Sequence, residues 1–170
     1  MGSGKTTVGM RLAKQLKFKF ADTDTAVEFA TGKTITELFE EGGEIYFRLK
    51  EQEVLRSFEK KENCVIATGG GAPIFRDNME WMNENGITVY LKHHRGVLFH
   101  RLLPEKKSRP LLSGLDDIAL MEFIVDKLPE RDFFYRQSKI IVEADNKSVN
   151  EVVKEICEYP FIKIIIKQKV

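Results

Sequence analysis

Gly2-Ser3-Gly4-Lys5-Thr6-Thr7 stands at the start of the chain and matches the second half of G-x-x-x-x-G-K-[ST], a phosphate-binding loop. Residues this small let the main chain fold around an anion with consecutive N–H groups turned inward. A helix that begins at this point adds its positive amino end. Lys5 is placed to reach the β- and γ-phosphates of a nucleotide, and the Thr6 hydroxyl to ligate Mg²⁺. The competing reading is a flexible small-residue terminus that precedes a helix.

Further along, Asp22-Thr23-Asp24 follows a short apolar segment. In an extended chain both carboxylates project to one side. Beside a phosphate loop such a pair serves the magnesium shell and an acceptor hydroxyl. A calcium loop is excluded, because the sixth residue from Asp22 is Val27 rather than Gly and the twelfth is Lys33 rather than Glu. The structural alternative is an Asx turn that caps a helix.

Gly69-Gly70-Gly71 closes the apolar run Cys64–Thr68. Three glycines at the carboxyl end of a buried strand let a ligand come close to the main chain, and open α/β sheets bind ligands at that edge. Arg48 and Glu51 share a helix face at a spacing of three, which on its own describes a surface ion pair. The segment 101–113 carries Arg101, Lys106, Lys107 and Arg109, with Pro104 and Pro110 discouraging a continuous helix. A cationic, mobile segment of this kind suits a lid over phosphates. His93, His94 and His100 have no carboxylate or cysteine at a metal spacing and read as surface or helix residues.

These groups need a scaffold that alternates strands and helices. Val8, Leu12 and Leu16 form one apolar stripe after the loop. Segment 18–21 reads as a strand. Thr34 with Glu37 forms a capping box, Gly42-Gly43 breaks that helix, and another runs over 44–61 with Phe47, Val54, Leu55 and Phe58 buried. Strands are predicted at 64–68, 87–91 and 139–143. Helices are predicted around Met79 to Met82, which Asn85-Gly86 ends, over 115–127, and over 149–159, with 129–138 a separate segment. This rhythm is α/β. The tail 161–170 is rich in β-branched residues, with lysines at 163, 167 and 169 on one side of an extended chain, and reads as a half-exposed strand.

At 170 residues and a hydrophobic share of 42%, the chain suffices for one domain with a real core. A net charge of +1 gives no electrostatic reason for a nucleic-acid or membrane partner. No apolar run reaches the roughly 20 residues of a membrane span, and no signal-peptide pattern is present. Cys64 and Cys157 form no metal or disulfide framework and read as core thiols of a reducing cytosol.

Taken together, MGSGKTT at 1–7, DTD at 22–24, TGK and ITELFEEGGEIYFR between 31 and 48, TGGG at 68–71, SRPLL at 108–112 and RDFFY at 131–135 resemble the shikimate kinase family. The loop alone is generic to nucleotide-binding proteins, whereas the ordered combination is specific. The resemblance implies a three-layer α/β/α P-loop kinase fold around a central, mainly parallel five-stranded sheet. It implies ATP-dependent phosphorylation of the shikimate 3-hydroxyl, with Mg²⁺, in a cytoplasmic monomer.

Carried over residue by residue, Asp24 contacts the reacting hydroxyl as candidate base. Arg48 and Arg131 clamp the shikimate carboxylate, and Gly69, Gly70 and Gly71 lie against its ring. Gly2 to Thr7, with Lys5 central, hold the ATP phosphates. Thr6 and Asp22 belong to the metal, Arg109 to the lid and Arg101 to the adenine side. Glu51 orients Arg48 or touches a substrate hydroxyl. The remaining alternatives are a kinase of this architecture acting on gluconate or a nucleotide, and a non-catalytic nucleotide-binding domain. The family's first strand, which leads into the loop, has no counterpart after Met1. The tail 161–170 is therefore expected to fill that central position or add at a sheet edge, the native start lying upstream.

Overall fold

The computed structural model of the chain describes residues 2–108 and 110–167. Its elements, in chain order, are α1 (Lys5–Leu16), β1 (Lys19–Asp22), α2 (Thr23–Thr31), α3 (Ile35–Arg56), β2 (Cys64–Ala67), α4 (Asn78–Asn85), β3 (Val89–Lys92), α5 (Arg95–Leu102), α6 (Asp117–Tyr135), β4 (Ile140–Glu143), α7 (Val149–Glu158) and α8 (Pro160–Lys167). Short 3₁₀ turns cover Ala72–Ile74 and Leu103–Ser108. All described strands are parallel, as α/β alternation requires.

The strands form two pairs. β1 lies beside β2 with Lys19 opposite Cys64 and Asp22 opposite Ala67. β3 lies beside β4 with Val89 opposite Ile140 and Lys92 opposite Glu143. The pairs belong to separate two-stranded sheets. A cavity of about 490 Å³ is lined by Val65, Ile66 and Ala67 of β2, by Val89, Tyr90 and Leu91 of β3, and by Val8 and Leu12 of α1.

The tail corrects the sequence reading. Residues 160–167 form the helix α8 and not a strand, so this described part of the tail neither fills the centre of the sheet nor extends an edge, and 168–170 lie outside the described residues. Pro160 opens it, where a fixed φ suits the first helical turn. Ile162, Ile165 and Ile166 then recur at helical spacing and pack against the core formed by Leu16, Val152, Val153 and Ile156. β-Branched composition loses here to this periodicity, since burying one apolar stripe outweighs a local propensity. Phe161 and Ile164 fall on the outer face and stay half-exposed.

Two other elements differ from expectation. α6 runs through Pro129 to Tyr135 as one helix, although a proline removes one intrahelical bond. Packing supplies the compensation: Leu120 and Ile124 before the proline, and Arg131 after it, are buried. α3 spans both predicted helices, but Gly43 adopts φ 70° and ψ −171° within it, so the path still kinks where the two glycines stand. A second core of Val27, Leu38, Phe47, Val54 and Phe58 holds α2 and α3 together. No described helix is long and apolar enough to cross a membrane.

Candidate active site

The phosphate loop is shaped by Gly4, the N-cap of α1, at φ 78°. That left-handed conformation costs glycine little and other residues more. A second cavity, of about 410 Å³, is lined by Gly2, Ser3, Gly4, Lys5, Thr6 and Thr7, together with His93, Arg101, Glu105 and Lys147. Three cationic side chains converge there on one helix amino end, which is an arrangement for polyphosphate.

Asp22 and Asp24 do not share an extended segment as read from sequence. Asp22 ends β1 and caps α2, accepting a bond from the Asp24 N–H at 3.0 Å, while Asp24 sits in the helix's first turn. The cap uses one oxygen only, and the other Asp22 oxygen accepts from the Thr6 hydroxyl at 2.9 Å. Hard oxygen donors of this kind suit Mg²⁺, which keeps several waters and few protein ligands. The described residues contain no group of three or more His, Cys, Asp or Glu that could hold a metal ion.

The glycine segment is where the remaining side chains meet. Thr23, fully buried, accepts from the Gly69 N–H at 3.0 Å. A methyl group on Gly69 would fall 2.2 Å from Glu51 Oε1 and 3.2 Å from Asp24 Oδ1. A methyl on Gly71 would fall 2.1 Å from Arg48 Nη2. Gly69 and Gly71 thus let Asp24, Glu51 and Arg48 lie directly against the main chain. From the other side, Tyr135 of α6 donates to the Gly70 carbonyl at 2.5 Å.

Arg48 is not a surface residue: it is 7% exposed and its Nη1 lies 2.6 Å from Glu51 Oε2, with Glu51 fully buried. Burial pushes the Glu51 carboxyl up, Arg48 opposes this, and Asp24 adds to it. Glu51 Oε1 and Arg131 Nε are buried without a hydrogen-bond partner. A buried orphaned polar atom costs about 1–3 kcal/mol, which is tolerable where a bound ligand satisfies it. Burial likewise raises the Tyr135 hydroxyl, against the pull of Arg131 and Arg48. Lys5, Gly69, Gly70, Arg131 and Tyr135 all border the larger cavity.

The family profile described as shikimate kinase matches residues 1–159. The chain belongs to the shikimate kinase family. The shikimate kinase of Bacteroides thetaiotaomicron is 48% identical over 145 residues, covering 85% of this chain and 83% of that protein. A crystal structure of shikimate kinase from the same organism matches with a TM-score of 0.86 at 44% identity, covering 93% of this chain and 92% of that one. Shikimate kinase from Acinetobacter baumannii in complex with shikimate gives a TM-score of 0.86 at 34% identity, covering all of this chain and 90% of that one.

Within this shikimate kinase scaffold, Lys5, Thr6, Gly69, Gly70, Arg101 and Arg131 border one or both cavities, Asp22 accepts from Thr6, and Asp24 and Arg48 lie against Gly69 and Gly71. Arg109 lies outside the described residues. The proposed lid segment is anchored at both ends, since Leu102 and Leu112 are buried with Leu120 and Ile124. Thr23 and His93 escaped the sequence reading. The position of Thr23 inside DTD was its one available signal. His93 is 5% exposed, contrary to the surface or helix role expected for it, because it is clamped between the loops that follow β3 and β4 and the phosphate loop.

Proposed function

We propose that this chain transfers the γ-phosphoryl group of ATP to the 3-hydroxyl of shikimate, with the residues above in the following roles. Lys5 and the loop N–H groups hold the β- and γ-phosphates. Thr6, and Asp22 through the metal's water shell, would hold Mg²⁺, which would supply positive charge against the phosphates. Arg48 and Arg131 bind the ring carboxylate, each guanidinium donating in fork geometry. Glu51 fixes Arg48 through the 2.6 Å contact. Gly69 to Gly71 admit the ring, and Asp24 takes the proton of the attacking hydroxyl.

The observation that carries this reading is the convergence of Asp24, Arg48 and Glu51 on the glycine segment, which borders a cavity together with Lys5 and Arg131. An acid-binding pair beside a carboxylate, facing a phosphate loop, supplies the positioning and charge neutralisation that phosphoryl transfer needs. Arg109 closes over ATP as part of the lid, 101–113, and Arg101 flanks the nucleotide. We read the enzyme as a single-domain cytoplasmic monomer with small-molecule partners. The net charge of +1 supports that reading, as it favours neither a polyanion nor an anionic membrane.

A coupled ADP-release assay tests the assignment. Shikimate should be turned over faster than gluconate or a nucleoside monophosphate. Preference for either of the others rejects it.

A further inference from the structure

We propose that His93 is a positioning residue of the nucleotide site, held by Asp145 in the Nδ1–H tautomer so that its Nε2 accepts from Arg101 and keeps that guanidinium across the phosphate loop. The inference rests on reading the loop cavity as the ATP site.

His93 follows β3, and Asp145 lies two residues beyond β4. His93 Nδ1 is 2.8 Å from Asp145 Oδ1, and the second oxygen of Asp145 accepts from the His94 N–H at 2.8 Å. Burial pushes the Asp145 carboxyl up, but the bonds from His93 and His94 outweigh it and hold the group below its ordinary range. Asp145 is therefore a carboxylate that accepts twice. A carboxylate opposite Nδ1 requires the proton there, and in a neutral ring this leaves a lone pair on Nε2.

That lone pair faces two groups. Arg101 Nη1 is 3.2 Å away and the Ser3 carbonyl oxygen 3.1 Å away. A guanidinium only donates and a carbonyl only accepts, so with the proton on Nδ1 the partner of Nε2 is Arg101, and the Ser3 carbonyl is a neighbour. The same Arg101 nitrogen lies 3.4 Å from the Gly2 carbonyl oxygen, and a methyl group on Gly4 would be 3.8 Å from it. Arg101 thus crosses the mouth of the loop with its outer end set by a buried imidazole. An arginine otherwise loses rotamer freedom on being drawn into one geometry. Fixing it beforehand favours nucleotide binding.

The role is separable from plain packing. Direct ATP titration should give His93→Phe an affinity about tenfold weaker than wild type, and kinetics a KM for shikimate within about twofold. His93→Gln, whose amide oxygen again accepts from Arg101, should recover most of the loss. Because His93 acts through Arg101, the double variant R101A/H93F should bind ATP no more weakly than R101A. The nitrogen-15 spectrum of the unsubstituted protein should show protonated Nδ1 and unprotonated Nε2, which tests the tautomer even if a variant fails to fold. Equal ATP affinity in wild type and H93F, full additivity of the two losses, or a protonated Nε2 in the neutral ring would each overturn the inference. A wild-type protein that binds no ATP would instead reject the functional reading beneath it.

Discussion

Arg48 Nη1 and Glu51 Oε2 lie 2.6 Å apart on α3, three residues from each other, with the arginine nearly and the glutamate fully buried. Two charges leave water here at a cost that their attraction repays only with good geometry. Arg48 also reaches the half-exposed Glu44, at 3.2 Å. The pair therefore makes most sense as a preset acid-binding arm: Glu51 aims the guanidinium, and the substrate carboxylate supplies a further partner.

Gly71→Ala tests that arm without touching a charge. Gly71 has φ −90° and ψ −17°, which alanine adopts without strain, but the new methyl would sit 2.1 Å from Arg48 Nη2. The flexible arginine yields and the fold survives. Steady-state kinetics should show KM for shikimate raised about tenfold or more and KM for ATP within about twofold. A parallel rise in both constants would mean that the glycine serves the fold and not the acid site.

Asp24→Asn keeps the size and the N–H that Asp22 caps, while removing the base. Turnover should fall by about 10²–10⁴, the range of positioned proton transfer, and ATP affinity measured by titration should hold. Near-normal turnover would take Asp24 out of the base role.

Ile162 anchors α8, at 5% exposure within the core of α1, β4 and α7. Ile162→Ala should cost about 2–4 kcal/mol, as buried large-to-small changes do, read as a lower urea midpoint. A change below about 0.5 kcal/mol, the level of a surface substitution, would place the tail off the core.

Acid should weaken the fold through its two capping boxes. Backbone and hydroxyl bonds from Thr34 hold Glu37 low, and the hydroxyl and N–H of Ser148 hold Glu151 low. A carboxyl depressed in the folded state contributes stability above its unfolded pKa, near roughly 4.3, and loses it as pH falls through the folded value. Glu51, raised by burial, works in the opposite sense. In Glu151→Gln the box can still form, but its titration is gone. Thermal melts should show wild type ahead of this variant at neutral pH and the gap closing toward pH 3. A gap constant with pH would contradict the linkage.

The candidate site residues that the fold brings together were largely legible in the sequence because each belongs to a local motif: Lys5 to the loop, Asp24 to DTD and Gly69–Gly71 to the end of a strand. Helix starts were legible where a side chain caps them, as at Thr34, whose box forms as read. Long-range matters were not. The burial of Arg48 depends on α3 packing under the glycine segment, and a spacing of three residues cannot distinguish that from a surface pair. His93 and Asp145 stand far apart in the chain, with no common pattern. The tail misled through composition, since isoleucine favours strands until three of its positions line up on a helix. Pro129 misled because proline's local cost was smaller than the packing of Leu120, Ile124 and Arg131.

The central claim is that Arg48 and Arg131 hold a small acid with one hydroxyl turned toward Asp24 and the phosphate loop. Phosphorus-31 spectra of a reaction with ATP, Mg²⁺ and shikimate test it most directly. One new phosphate resonance, coupled to the ring proton at position 3, should grow in step with ADP. ADP without a phosphorylated ring, or phosphate on another hydroxyl, would contradict it.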